Sequence, residues 1–479
     1  MLSRSFMKQE NSDRLLAYSP MFHARLFRET ATFRAQVFQP TCQRIDASDE
    51  TPYLDGNPSF DRPLFVQFCA NDPEDLLEAA RHVVPYCDAV DLNLGCPQGI
   101  ARKGHYGAFL QEDWDLIYKL INKLHKELPV PVTAKFRILD TKEKTLEYAK
   151  MILSAGASII SVHGRRREQK GHNTGVADWN YIKYLRDNLP PETVIFANGN
   201  ILNHDDIERC LEVTGADGVM SAEGNLSDPS IFSEPPSIDS KGREYWRGES
   251  GKGGYRLDAI FRRYMDIIYK YVLDTPVPER KSLYALSDSE KAEHDKEVMK
   301  EANDSDAEGP PKKKQKHGKG KRTNNPNLTS MQGHLFQLLR PLVSKHTNIR
   351  DALARARAGD IQAFEHILTL VEEAVKAGIQ EYKQFPERFN GPAEMANVET
   401  LSGSKATVAQ YGRPWWVCQP HVRPLPEEAL QLGALQLKKK DLAKNSLSSD
   451  ESRGVQAAVS LPGSAQENPP ALSDRPVQA

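Results

Sequence analysis

The sequence predicts an α/β protein: a (β/α)8 barrel of the TIM type that lacks its first strand and is followed by a helical carboxyl-terminal domain. Up to about residue 230, short β-branched segments alternate with longer amphipathic segments, as in βα units around a parallel sheet. Polar residues follow several of the predicted strands, and the mouth of a barrel gathers such residues whereas an open sheet does not. With 479 residues, the chain can form about two or three domains.

The first half contains seven predicted strands, one fewer than a closed barrel needs, so a doubly wound sheet is the alternative. The strands are predicted at residues 15–21, 64–68, 89–94, 130–136, 158–163, 193–198 and 217–221. The helices between them are predicted at 72–84, 113–128, 142–155, 179–188 and 205–214. Several begin after a capping residue, and Asp72-Pro73 is a cap followed by proline at the first helical position.

The pattern changes after residue 240, where the barrel domain, residues 1–240, is expected to end. Residues 241–284 begin a helical domain after a flexible Gly-rich loop at 248–254, and residues 328–424 complete it with apolar helical faces. Residues 285–327 are expected to form a disordered basic linker, and 425–479 a disordered tail. The basic cluster at 312–322 favours a nuclear localisation signal or non-specific attraction to RNA over a merely solvated linker.

Composition excludes several classes of protein. No run of about 18 apolar residues is present, and the first ten residues lack the apolar stretch of a secretory signal. The six cysteines are scattered without a CxxC pair, which argues against a zinc site and against a disulfide framework. We therefore expect a monomeric, metal-free protein with no membrane contact, located in the cytoplasm, the nucleus or both.

The sharpest local signal is the segment 91–98, in which a buried strand ends in the turn Gly95-Cys96-Pro97. A cysteine there would face the barrel mouth, although an inert buried thiol is the simpler interpretation. The following segment contains Arg102, Lys103 and His105. Such residues suit a loop over an anionic ligand better than they suit a core.

The run 91–110 resembles the active-site strand and loop of the dihydrouridine synthases, whose cysteine lies in a Gly-Cys-Pro turn of this kind. Further similarity follows in the expected order at 66–68, 133–137, 161–165, 197–201 and 218–224, so the resemblance covers about half of the chain. Residues 221–224 and 413–420 are most similar to the eukaryotic subfamily that acts at tRNA positions 16 and 17.

The resemblance implies reduction of uridine to 5,6-dihydrouridine in the D-loop of tRNA, with FMN as cofactor and NADPH or NADH as reductant. Cys96 would protonate C5 of the uracil while hydride reaches C6, and Asn93 would hold the uracil. Gln67 and Lys135 would bind the flavin ring; a lysine inside the apolar run 132–136 is otherwise costly to bury. The other residues implied to bind cofactor are His163, Asn198, Gly199, Asn200, Ala222 and Glu223, and those implied to bind substrate are Arg102, Lys103, His105, Arg137 and Arg165.

The segments 198–200 and 222–224 follow the seventh and eighth strand positions, where barrels commonly hold a phosphate with backbone N–H groups. Two ordinary turns are the alternative. Many members of the family have Gly-Arg where this chain has Ala222-Glu223. A side-chain cation is therefore lost there, and backbone contacts must suffice.

Members of this family normally open with a strand that ends in a Pro-Met turn, but here Pro20-Met21 belongs to the second strand position. We expect a truncated or alternatively started gene product with a gap between the second and eighth strands. The exposed edge would aggregate or be filled by another segment, and flavin affinity would suffer. Two other functions stay open: an inactive tRNA-binding relative, and a flavin oxidoreductase for a free pyrimidine. Trp415-Trp416 could stack on RNA bases or pack within the helical domain.

Overall fold

A computed structural model of the chain describes residues 1–42, 51–237, 243–248, 253–288, 325–389 and 412–431. The basic cluster at 312–322, most of the predicted linker and the tail after residue 431 lie outside these described residues. The described residues up to Pro426 form one compact unit, and the described residues from Glu427 onward belong to a second. The described start of the predicted tail is helical, at Pro426–Gln431.

The sheet has eight short strands, all paired in parallel, at seven positions. They are β1 Ala17–Tyr18, β2 Phe22–His23, β3 Leu64–Cys69, β4 Ala89–Leu94, β5 Val132–Arg137, β6 Ile159–His163, β7 Val194–Asn198 and β8 Gly218–Met220. Both β1 and β2 pair with β3, through Ala17 with Leu64 and Phe22 with Phe68, so they are two parts of one position. The order β1-β3-β4-β5-β6-β7-β8 is that of a parallel barrel, which confirms the predicted fold class.

Helices cover the outside of the sheet, and their boundaries follow local sequence signals. They are α1 Ala24–Glu29, α2 Ala31–Val37, α3 Pro73–Arg81, α4 Gly99–Lys103, α5 Trp114–Glu127, α6 Lys142–Ser154, α7 Trp179–Asn188, α8 Asp205–Thr214 and α9 Glu223–Ser227. As predicted, Asp72 caps α3: its Oδ1 accepts the N–H groups of Glu74 and Asp75 at 3.0 and 2.8 Å. The helices bury their apolar faces against the strands in one continuous core.

The expected gap lies between β1 and β8, since no strand among the described residues pairs with both. Residues 1–14 run through two 3-10 turns, Ser3–Phe6 and Gln9–Arg14. The Arg4 guanidinium donates to the carbonyls of Leu15 and Pro63, each at 2.7 Å, just before β1 and β3. Ser3 Oγ donates to Asn225 Oδ1 at 2.8 Å, in the helix that follows β8. This segment therefore links the two edges of the open sheet.

The helical part forms a second core. It begins with an antiparallel hairpin of β9 Tyr245–Arg247 and β10 Gly253–Tyr255, so the prediction of a flexible loop over 248–254 is wrong for Gly253 and Gly254. The helix α10 Leu257–Ile267 continues as a π-helix, Ile268–Val272. The later helices are Pro326–Thr329, Met331–Leu338, Arg340–Val343, Thr347–Arg355 and Ile361–Gln384.

Trp415 and Trp416 lie in this second core, with 9% and 0% of their surface exposed. Of the two interpretations of the tryptophan pair, packing is the one that this burial supports. No described helix combines the length and the apolar character that a membrane crossing requires.

Candidate active site

The strand register brings polar side chains together toward the carboxyl ends of the strands. Gln67 pairs with Asp91, and Asp91 with Thr133; two residues further along, Asn93 pairs with Lys135. Because side chains alternate between the two faces of a strand, Asp91 and Asn93 point the same way. The sheet therefore stacks these polar residues in successive layers.

A chain of hydrogen bonds connects the first layer to the second. Asp91 accepts from Thr133 Oγ1 at 2.6 Å and from Gln67 Nε2 at 2.8 Å, and Asn93 Nδ2 donates to Gln67 Oε1 at 2.7 Å. Burial of the carboxylate raises the pKa of Asp91 to about 6, although both donors oppose this shift. Since an amide nitrogen must face the carboxylate, the orientation of Gln67 is determined, and with it that of Asn93.

Asn93 in turn holds the turn that carries Cys96. Its Oδ1 accepts the N–H groups of Gly95 and Cys96 at 3.0 and 2.9 Å. The Cys96 carbonyl accepts from the Ala108 N–H at 3.1 Å. Cys96 is partly exposed, whereas Cys69, Cys87, Cys210 and Cys418 are buried. Cys96 is therefore not fully buried, unlike the thiol of the simpler interpretation.

Lys135 is a cation in a confined position. Its Nζ donates to Asn198 Oδ1 at 2.9 Å, and Asn198 Nδ2 donates to the Met220 carbonyl at 2.8 Å. Burial, with a contribution from Arg137, lowers the pKa of Lys135 to about 8. The hydrogen-bond partner is a neutral amide, so the ammonium favours an anion beside it.

Two further basic groups surround His163 on the next layer, where it pairs with Arg137 on one side and Asn198 on the other. Burial, and then the charges of Lys135, Arg137 and Arg165, hold the pKa of His163 well below its ordinary value. The imidazole is therefore neutral. Its Nε2 accepts from Arg165 Nη1 at 3.2 Å.

Arg137 and Arg165 also order the loops around the mouth. Arg137 Nε donates to the Gly95 carbonyl at 2.8 Å, next to Cys96. Arg165 Nη2 donates to the Gly175 carbonyl at 2.9 Å and to Asn200 Oδ1 at 2.8 Å. Both arginines were predicted to bind substrate. In the structure their hydrogen bonds position the segments around Gly95 and Gly175.

The predicted loop after Cys96 is partly helical, because it includes α4. Arg102, Lys103 and His105 are exposed on it. Tyr106 is 4% exposed and packs with Cys69 and Ala101 in a small apolar cluster that Cys96 borders. The basic side chains are thus free to meet a large ligand while the backbone of the segment is anchored.

The turns after β7 and β8 are closely packed. Gly199 has φ +112°, and a Cβ there would lie 2.6 Å from Ala177 Cβ, so this position requires glycine. Glu223, after β8, forms an ion pair with Arg423, whose Nε lies 3.1 and 3.2 Å from its two oxygens. A side-chain cation is therefore present beside Glu223, contrary to the expectation that this edge has none.

Sequence reasoning missed the supporting residues of the site, among them Thr133, Tyr18 and Arg423. Tyr18 Oη lies 3.1 Å from Ser161 Oγ. Asp91 offered a usable signal, because a carboxylate in the apolar run 89–94 is as costly to bury as Lys135 is in its own strand. Arg423 offered none, since 200 residues separate it from Glu223.

A parallel α/β barrel with a partly exposed thiol and confined cations at the carboxyl ends of its strands has the organisation of an enzyme. The chain belongs to the dihydrouridine synthase family, whose model matches residues 2–313. It is 44% identical over 411 residues to a tRNA-dihydrouridine(16/17) synthase of Saccharomyces cerevisiae, covering 86% of this chain and 78% of the relative.

A tRNA-dihydrouridine(16/17) synthase of Schizosaccharomyces pombe is 41% identical over 416 residues, covering 86% of this chain and 82% of the relative. A human tRNA-dihydrouridine(20a/20b) synthase-like protein is 35% identical over only 175 residues, covering 36% of this chain and 54% of that protein. The similarity to the two fungal relatives thus extends well beyond β8, the last strand of the barrel sheet, which ends at Met220.

Proposed function

We propose that this protein reduces uridine to 5,6-dihydrouridine at positions 16 and 17 of tRNA, with Cys96 as the proton donor. The observation that carries the proposal is a partly exposed thiol, held by Asn93 in the turn after β4, beside the strand β5 that carries Lys135. Membership of the dihydrouridine synthase family supports the reaction, and the extent of the similarity to the two fungal relatives supports the tRNA positions.

The residues at the mouth fit FMN, with NADPH or NADH as its reductant. When bound, the flavin would supply the hydride that adds to C6 of the uracil. Lys135 would hold the pyrimidine portion of the flavin ring. Burial lowers the pKa of Lys135 to about 8, and a negative charge on the flavin beside it would offset this effect. Gln67, whose orientation Asp91 determines, would hydrogen-bond the ring edge.

His163, Asn198, Gly199 and Asn200 would complete the cofactor site together with Ala222 and Glu223. His163 is neutral, so it can accept or donate a hydrogen bond without adding charge. The turns after β7 and β8 would offer backbone N–H groups to the phosphate, as in other parallel barrels.

Cys96 would give its proton to C5 of the uracil as C6 receives hydride, so that two electrons and two hydrogens are added in all. A thiolate remains on Cys96. The Arg137 guanidinium, bound to the neighbouring Gly95 carbonyl, would stabilise this charge. Because Cys96 is partly exposed, the thiolate can regain a proton from solvent before the next turnover.

The tRNA would approach the exposed side chains of Arg102, Lys103 and His105, which can meet backbone phosphates. The target base must leave its stack to reach the barrel mouth. Asn93 would then contact the uracil, in addition to its observed hydrogen bonds with the Cys96 turn.

Replacement of the cysteine tests the proposal. We expect Cys96→Ala to abolish dihydrouridine formation, measured by mass spectrometry of tRNA incubated with the enzyme, FMN and NADPH, while the flavin absorbance of the purified protein stays unchanged. Cys42→Ser is the matched control, because Cys42 is also partly exposed and its backbone N–H donates to the Thr51 carbonyl, which is not part of the Cys96 turn. A Cys96→Ala enzyme with normal turnover would contradict the assigned role.

The tRNA position is tested with transcripts in which only uridines 16 and 17 are replaced by cytidine. We expect these transcripts to receive no dihydrouridine from the wild-type protein. Equal modification of the substituted and the unsubstituted transcripts would exclude the 16/17 assignment but would leave the proposed role of Cys96 unaffected. Turnover of free uridine at a rate similar to that of tRNA would instead indicate a small-molecule oxidoreductase.

A further inference from the structure

Glu223 and Arg423 form an ion pair at the β8 edge of the barrel mouth, between two distant parts of the chain. Arg423 Nε donates to Glu223 Oε1 at 3.1 Å and lies 3.2 Å from Glu223 Oε2. Arg423 Nη2 also donates to Glu223 Oε1. The Arg423 side chain is 43% exposed and the Glu223 side chain 50%. An exposed pair of this kind contributes little to stability, so stability alone does not account for it.

The charges of this pair also act on two other arginines. Arg165 comes from the segment after β6, and Arg340 opens the helix Arg340–Val343. Burial lowers the pKa values of both; the Glu223 carboxylate opposes this shift, and the Arg423 guanidinium adds to it. Burial, and next the charge of Arg340, lower the pKa of His421, which is therefore largely neutral at pH 7.

The described hydrogen bonds of these arginines leave a positive charge in excess. Arg165 donates to backbone carbonyls, to the His163 ring and to the Asn200 amide, all of them neutral. Arg340 donates to the side-chain amide of Gln337. Among the described contacts of these three guanidinium groups, the Glu223 carboxylate bound to Arg423 is the one anionic partner, and an anion with several oxygens would balance the remaining charge.

We propose that Arg423, held in place by Glu223, forms with Arg165 and Arg340 a phosphate-binding site at the β7–β8 edge of the barrel mouth. The inference rests on the proposed function. The turn Ala222-Glu223 has no basic side chain for the phosphate, and Arg423 would supply one. The cation comes from the carboxyl-terminal segment of the compact unit. Arg165 connects this site to Asn200, whose side-chain oxygen it contacts at 2.8 Å.

A phosphate at this edge would come either from FMN or from the tRNA backbone. The test uses purified full-length protein freed of flavin, and measures the affinities of FMN and riboflavin by fluorescence quenching. Riboflavin lacks the phosphate. We expect Arg423→Glu to weaken FMN binding by at least about 10-fold, because a charge-assisted contact with the phosphate is lost, and to leave riboflavin binding unchanged.

The double variant Glu223→Arg with Arg423→Glu places the cation on the turn after β8 and is expected to restore most of the FMN affinity. Arg350→Ala is the matched control, because Arg350 is also exposed and pairs with a carboxylate, that of Asp351, on another helix. Circular dichroism of each variant checks that the fold is retained.

Three outcomes decide the inference. Weaker FMN binding alone assigns the site to the cofactor phosphate. Weaker tRNA binding in a filter assay, with a shallower salt dependence and unchanged FMN affinity, assigns it to an RNA phosphate. Unchanged affinity for both ligands, or equal losses for FMN and riboflavin, would overturn the inference. If the wild-type protein binds neither flavin, it is the proposed function that fails.

Discussion

The position of Cys96 depends on Gly107, and replacing this glycine by alanine tests how closely the thiol must be held. Gly107 has φ +62°, a conformation that costs an L-residue about 1–2 kcal/mol. A Cβ at this position would lie 2.9 Å from the Cys96 carbonyl oxygen and 3.0 Å from Cys96 Cβ. Real Cβ atoms are rarely this close to backbone, so the Cys96 turn must shift by a few tenths of an ångström.

Gly215→Ala provides the matched control. Gly215 has φ +65° at the end of α8, and a Cβ there would meet only the flexible Arg186 side chain, at 3.2 Å. The backbone cost is therefore shared by both variants. The contact with Cys96 adds about 1–3 kcal/mol in Gly107→Ala alone, as in an overpacked core.

We expect Gly215→Ala to lose about 1–2 kcal/mol of unfolding free energy in urea and to keep its reaction rate. Gly107→Ala should lose about 2–5 kcal/mol and should form dihydrouridine about 10-fold more slowly in a single turnover, because small displacements of a reacting group reduce rates strongly. If Gly107→Ala lost no more stability than Gly215→Ala and reacted at the wild-type rate, the geometry inferred for the Cys96 turn would be wrong.

Two further predictions concern buried charge. Lys135→Met should weaken FMN binding by about 10-fold to 100-fold in a fluorescence titration, with the exposed Lys183→Met as control, because a charge-assisted contact is lost. In the wild-type protein FMN affinity should fall as the pH rises above about 8, because Lys135 of the flavin-free protein loses its proton there. An FMN affinity that does not change between pH 7 and pH 9 would contradict this. Burial raises the pKa of Asp91 from 3.8 to about 6, so its contribution to stability is fully present below pH 3.8 and is lost as the pH rises through about 6. Asp91→Asn should therefore gain about 2–3 kcal/mol relative to wild type between pH 4 and pH 7 in urea unfolding, and a difference that does not change with pH would refute the assignment.

Local signals in the sequence were sufficient to predict most of the barrel elements, although α1 and α2 were not among them. The helix 205–214 was predicted with the boundaries that the structure has, and the strand 89–94 likewise. Asp72 and Pro73 determine the start of α3 through contacts within one turn. Apolar periodicity and capping depend on neighbours a few residues apart, so the linear sequence contains this information.

Other predictions failed where distant segments meet. Gly253 and Gly254 suggested a flexible loop, but they pair with Trp246 and Arg247, and a Cβ on Gly254 would lie 2.7 Å from a Val417 methyl group. Glycine here allows a close approach of two segments and does not indicate flexibility. The partner that requires this approach is more than 160 residues away, which no local pattern reveals.

The sequence by itself determined the parallel barrel, the strand end that carries Cys96 and the polar residues that accompany it, because strand and helix patterns are local. The tertiary structure alone decided that Asn93, Gln67 and Asp91 form one hydrogen-bonded chain, and that Arg423 pairs with Glu223. The physical reason is that hydrogen bonds and ion pairs require atoms within about 3 Å of each other. Only the packing of the sheet and the helices brings such distant residues together.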